Sequence, residues 1–71
     1  MAHVLETLAR ARAQEILVGS MRKHFPEDAG LSDDEVIAAH GMGEQLDLLA
    51  KYLLTIMAAQ TRLDAAMADA P

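Results

Sequence analysis

Apolar side chains in the C-terminal third of the chain recur alternately every four and every three residues. The members of this heptad seam are Met42, Leu46, Leu49, Leu53, Ile56, Gln60, Leu63, Met67 and Ala70, and only Gln60 is polar. A period of 3.5 residues places such a seam along one side of a helix and requires a helical partner. The pattern therefore predicts a long helix over residues 44–69 that packs in a helical hairpin and pairs with a second copy of the chain.

The first third of the chain predicts another long helix. Residues 3–24 are rich in Ala, Leu, Arg, Glu and Gln, which favour helix. The helix should end by Phe25, because Pro26 disfavours helical backbone in the residue before it, and residues 26–30 read as a turn. Ser32 and Glu35 then have the spacing of a capping box, which predicts that a short helix begins at Asp33.

The segment Gly41-Met42-Gly43 has two interpretations. Two glycines inside a helix cost roughly 2 kcal/mol relative to alanine, and Val36 and Ile37 point more than about 100° away from the seam that follows. A short helix over residues 33–40, a break at the glycines and a long helix over residues 44–69 account for both facts. A single continuous helix remains open, with the glycines allowing another helix to approach closely.

Composition agrees with an all-α fold and raises the question of how the apolar side chains are buried. The 71 residues are 52% hydrophobic, contain two aromatic rings and no cysteine, and predict a single domain over residues 1–71. Chains this short usually need a staple or an oligomer. We therefore expect a helical hairpin (long helix, short helix, long C-terminal helix) that dimerises into a four-helix bundle. The predicted dimer interface comprises Leu46, Leu49, Leu53, Ile56, Gln60, Leu63 and Met67.

Gln60 and Arg12 are polar residues within apolar stripes, and each has two interpretations. A polar core rung can set register and oligomeric state, whereas a residue near the end of a bundle simply reaches solvent. Arg12 either forms a salt bridge, with Glu15 or an acid of another helix, or anchors a partner protein.

Helix 1 also carries apolar side chains on two sides, which suggests two partners. Leu48 and Tyr52 lie one turn apart, off the seam, and either cover the edge of the core or meet a partner. The predicted partner-binding residues are Leu5, Leu8, Arg10, Arg12, Ile16, Leu48 and Tyr52.

Charge and motif content argue against several function classes. Residues 1–24 hold four cations and two acids, and residues 25–71 hold two cations and nine acids, so no concentrated basic face for nucleic acid is expected. No apolar run is long enough for a membrane span, and His3 and Glu6 interrupt any signal peptide, which together predict a cytoplasmic protein. The histidines have no familiar metal-ligand spacing, and no nucleophile can be matched to a base. We expect no metal, no cofactor and no enzyme activity.

These observations favour a small non-enzymatic protein-binding regulator. It would be an adaptor or inhibitor that acts as a helical homodimer and docks on a larger protein, an architecture typical of small bacterial and phage-encoded regulators. The alternative is a structural or assembly component, or a chaperone, of a secretion or virion apparatus. An acidic nucleic-acid mimic is a weaker alternative, because the acids form no dense regular array.

Overall fold

The computed structural model describes residues 2–69, and all regular structure in that range is helical. Helix α1 spans Ala2–His24, α2 spans Asp33–Ala39 and α3 spans Gly43–Ala68, with a 3₁₀ turn at Pro26–Gly30 between α1 and α2. The predicted all-α hairpin of long, short and long helices is confirmed, with each end within one residue of its expected position. Ala70, the last rung of the heptad seam, lies outside the described residues.

Helix α1 ends where proline stops it. Phe25, with φ −129° and ψ 76°, has left the helical region before Pro26. The turn that follows is closed by backbone bonds from Asp28 N–H to the Phe25 carbonyl (3.0 Å) and from Leu31 N–H to the Asp28 carbonyl (2.9 Å). This compact turn reverses the chain and brings α2 onto the C-terminal half of α1.

Helix α2 is defined at both ends by local backbone chemistry. The capping box is confirmed: Glu35 N–H donates to the Ser32 hydroxyl (3.2 Å), and Ser32 N–H donates to the Glu35 carboxylate (2.9 Å). At the other end Gly41 adopts φ +62°, and Met42 N–H donates to the Ile37 carbonyl (2.9 Å). This Schellman motif separates α2 from α3, so the predicted break is confirmed and the continuous helix is wrong.

The core lies where α1, α2 and the first turns of α3 meet. Five buried side chains form it: Ala13, Val18, Val36, Ile37 and Leu46. Half-buried apolar residues surround them, namely Leu17, Met21, Leu31, Met42, Leu49, Ala50 and Leu53. Four of the five core side chains are aliphatic residues larger than alanine, which is a small core for a chain of this length.

The two long helices overlap over only part of their length. Arg10 of α1 lies beside Asp47 of α3 (2.7 Å), so in this antiparallel pair the start of α1 is level with about residue 55 of α3. The rest of α3 extends beyond it by roughly 20 Å at 1.5 Å per residue. All of residues 59–69 are exposed, and the molecule measures 54 × 19 × 15 Å. From residue 59 onward, α3 therefore has no helix packed against it within the described chain.

Candidate protein-binding surfaces

The heptad seam of α3 divides into a buried half and an exposed half. Leu46 is buried, and Leu49 and Leu53 are half-buried against the core of the same chain. Ile56, Leu63 and Met67 are 46%, 54% and 67% exposed. Gln60 is exposed as well, and its amide donates to Asp64 one turn along (3.1 Å). The predicted dimer interface stays a prediction, but its first three members are occupied within the protomer.

A different set of side chains forms one continuous apolar surface on α3. Leu48 and Tyr52 are 66% and 65% exposed, so they do not cover the edge of the core. At 3.6 residues per turn they lie on the same side of the helix as the exposed half of the seam, within a sector about 100° wide. We call this surface the α3 stripe, and its members are Leu48, Tyr52, Ile56, Ala59, Leu63 and Met67.

The residues predicted as a partner site on α1 do not form one patch. Leu5 is half-buried and Arg10 is engaged by Asp47, whereas Leu8 and Ile16 are 51% and 41% exposed. Arg12 donates to Glu15 (2.6 Å), but both side chains are largely exposed, so the salt bridge adds little to stability. The salt bridge with Glu15 that was one interpretation of Arg12 is thus present, and the guanidinium is exposed to solvent. Val4, 56% exposed, adds a further apolar side chain near Leu8.

A shallow groove of about 430 Å³ runs between the N-terminal half of α1 and the first half of α3. Its walls carry Glu6 and Arg10 on α1 opposite Asp47 and Lys51 on α3, with Ala50 and Leu54 at its base. Arg10 and Asp47 form a salt bridge across the groove (2.7 Å), which fits the antiparallel register of α1 and α3 but is largely exposed and adds little to stability. Among the described residues no salt bridge joins the other two charged side chains, Glu6 and Lys51.

Arg22 is a structural centre that the sequence analysis missed. Its guanidinium donates to the carbonyls of Asp28 (3.2 Å) and Leu31 (2.9 Å) and to the carboxylate of Asp33 (2.8 Å). The bonds from Arg22, and a second one from Gln14, lower the pKa of Asp33. Bonds from the Ser32 backbone and hydroxyl likewise lower the pKa of Glu35. A cation in the last turn of α1 was visible in the sequence, but its long reach to the next helix was not.

Asp28 and His40 form a second polar contact that connects the turn to the end of α2. Asp28 is 8% exposed, and its Oδ2 lies 2.5 Å from His40 Nε2. The His40 ring also packs on Phe25, with ring centroids 4.5 Å apart. Asp28 and His40 are 12 positions apart across a turn, so no helical spacing in the sequence predicted the contact. The arrangement holds the α1–α2 turn against the end of α2.

The described residues contain no group of three or more His, Asp or Glu side chains placed to hold a metal ion. None of the helices in residues 2–69 is both long enough and apolar enough to cross a bilayer. No protein-family model, curated protein or solved structure matches this chain.

Proposed function

We propose that this chain is a small non-enzymatic protein-binding regulator, an adaptor or inhibitor that acts as a helical homodimer and docks on a larger protein. The observation that carries the proposal is the amount of apolar side chain left in solvent. Among the residues whose exposure the structure describes, nine large hydrophobic side chains are at least 36% exposed, against six buried hydrophobic residues of which two are alanine. Apolar surface on this scale is typical of interaction sites.

Apart from Phe25, which precedes the turn, these exposed side chains divide between two faces, which supports two kinds of contact. The α3 stripe is long and straight and suits a helical partner such as a second copy. On α1, Val4 and Leu8 lie near the exposed Arg12, which combines apolar area with a planar donor group. An arginine beside aliphatic side chains is a common anchor in interfaces. We assign this α1 face to the larger protein partner.

Affinity capture with two matched variants tests the proposal. The tagged full chain should retain a specific host protein, and Leu8→Glu and Arg12→Ala should each weaken its binding, Arg12→Ala by about 1–3 kcal/mol. Lys23→Ala removes an exposed cation elsewhere on α1 and should leave binding unchanged. Equal retention by all three variants would place the contact elsewhere and contradict the assignment to α1.

An assembly component, or a chaperone of a secretion or virion apparatus, is the second candidate. The projecting distal half of α3 favours it, because an uncovered helix end can join successive subunits. Light scattering of the purified chain separates the two functions. A single small species supports the regulator, whereas mass that grows with concentration into rings or filaments supports the assembly component.

A further inference from the structure

We propose that the α3 stripe pairs antiparallel with the α3 stripe of a second copy, about a two-fold axis that passes between residues 57 and 58. The inference rests on the homodimer of the proposed function and names the surface and the register. Leu46, Leu49 and Leu53 pack inside the protomer and are not part of this interface. The interface instead consists of side chains that are exposed along α3.

The spacing of the stripe is the first argument for a second copy. Its six members follow one another at intervals of 4, 4, 3, 4 and 4 residues, which read the same in both directions. Two antiparallel copies therefore bring Leu48 opposite the partner's Met67, Tyr52 opposite the partner's Leu63 and Ile56 opposite the partner's Ala59. Every large side chain meets an apolar one, and the small Ala59 leaves room for Ile56. A two-fold interface requires this kind of self-complementarity.

The exposed area of the protomer is the second argument. A compact protein of 7.7 kDa exposes about 4,300 Å², whereas this chain exposes 5251 Å². The excess of about 900 Å² is close to the roughly 800 Å² that each partner buries in a stable interface. The radius of gyration, 15.4 Å, likewise exceeds the about 11 Å of a compact chain of this length. Pairing with a second copy would bury an area of this size without requiring any other protein.

Two cations at the edge of the stripe make the register testable. Lys51 and Arg62 lie on the same side of the stripe, about 20° apart around the helix. In the antiparallel dimer Arg62 is level with about residue 53 of the other copy, beside the partner's Lys51. The wild-type dimer therefore contains two exposed like-charge contacts. Reversing the charge at position 62 should turn both into attractive ones.

Sedimentation equilibrium of the full chain measures this effect. Arg62→Glu should tighten dimerisation by about threefold to tenfold, since two repulsive rim contacts become ion pairs. Its intrahelical neighbours three and four residues away are all alanine, so the substitution breaks no pair within α3. Lys23→Glu changes the net charge equally at the far end of α1 and should weaken dimerisation slightly. A weakening by Arg62→Glu that matches Lys23→Glu, or a wild-type monomer at tens of micromolar, would overturn the proposal.

Disulfide trapping tests the direction of pairing, because the natural chain has no cysteine. An equimolar mixture of Tyr52→Cys and Leu63→Cys should oxidise rapidly to the mixed dimer. Leu63→Cys alone should not, because the two introduced thiols would lie roughly 16 Å apart along the helices, beyond the about 4.4–6.8 Å that a disulfide allows between Cα atoms. Rapid self-oxidation of Leu63→Cys would indicate parallel pairing and overturn the register.

The outcomes separate this inference from the proposed function. A dimer in another register overturns the α3 pairing and leaves a homodimeric regulator standing. If the dimer has the predicted register but Leu8→Glu and Arg12→Ala leave binding of the larger protein unchanged, the α3 pairing is supported and the docking face on α1 is contradicted. A stripe occupied by a different protein would show as a monomer in sedimentation, which counts against the second copy.

Discussion

Arg22 is the residue on which the path between α1 and α2 depends most. Its planar fork satisfies two carbonyls of the turn and the carboxylate that opens α2, so a single side chain holds three segments together. Lysine has no comparable geometry, because its ammonium is a single point donor on a flexible stem. The adjacent Lys23 is exposed and makes none of these contacts, which provides an internal comparison.

Replacing Arg22 by alanine should lower the free energy of unfolding by about 1–3 kcal/mol. The substitution removes three hydrogen bonds and leaves the Leu31 carbonyl without its donor, whereas the Asp28 carbonyl keeps the bond from Leu31 N–H. Urea denaturation followed by circular dichroism measures the loss. Lys23→Ala is the matched control and should stay within about 0.5 kcal/mol of the natural chain. Equal losses for the two variants would contradict the role assigned to Arg22.

Asp33 and Glu35 should make stability depend on pH in the acid range. Both carboxyls have a pKa below the ordinary value in the folded chain, so protonation favours the unfolded state. Their contribution is fully present above the unfolded pKa, near pH 4, and is lost as the pH falls through the folded pKa. Thermal melts between pH 7 and pH 2 should show this decline, with a shallower slope in Asp33→Asn. An unchanged slope in that variant would argue against the Arg22 contact in solution.

At the scale of elements, α2 owes its length to its two caps. A seven-residue helix is too short to be stable by propensity, so the capping box and the Schellman motif have to hold it in place while Val36 and Ile37 fill the core. Gly41 has the left-handed conformation that the Schellman motif requires, whereas Gly43 begins α3 with an ordinary backbone. The two glycines of one tripeptide thus differ in what they contribute.

Gly41→Ala and Gly43→Ala should therefore change stability in different directions. Neither added methyl group meets another atom within 4 Å, so backbone conformation alone decides the outcome. Alanine at position 41 should cost about 1–2 kcal/mol because φ is positive. Alanine at position 43 should be neutral or stabilise by up to about 1 kcal/mol by restricting the unfolded chain. Chemical denaturation of both variants makes the comparison, and equal destabilisation would indicate that α2 and α3 are not separated as described.

At the scale of the whole molecule, the α1–α3 hairpin is staggered. Pairing Arg10 with Asp47 leaves room for α2 beside the C-terminal half of α1, and it pushes the distal half of α3 beyond the start of α1. One helix thereby serves two purposes: one side of its first half completes the core, and another side presents the α3 stripe along most of its length. The small core explains why we expect association to contribute to stability.

Leu46→Ala and Leu63→Ala should separate these two purposes. Leu46 is 5% exposed, so its truncation should cost about 2–5 kcal/mol at any protein concentration. Leu63 is exposed in the protomer, so its truncation should matter only through association. We expect the melting temperature of Leu63→Ala to rise less with concentration than that of the natural chain. A concentration-independent loss of similar size in both variants would mean that Leu63 is buried within the protomer.

The elements of this fold were predictable because their signals are local. The capping box at Ser32 and Glu35 and the proline after Phe25 each act within one helical turn, so the sequence sets the end of α1 and the start of α2. It left the segment 41–43 open, and the positive φ of Gly41 showed that the helix breaks there. The long heptad period of α3 was equally plain, and it identified a helix that needs a partner.

The tertiary structure decided which side chains of the heptad seam pack inside the protomer and which are left exposed. The heptad period puts Leu46 and Leu63 on one seam, but at 3.6 residues per turn they lie about 100° apart around α3. Together with the stagger, which carries Leu63 beyond the start of α1, this buries the first and exposes the second. The contacts of Arg22 with Asp33 and of Asp28 with His40 join residues 11 and 12 positions apart across a turn, which no helical spacing describes. Local interactions determine where helices begin and end, whereas their stagger follows from packing summed over the whole chain. For that reason the sequence alone determined the helices, and the tertiary structure decided which of their faces are left to bind.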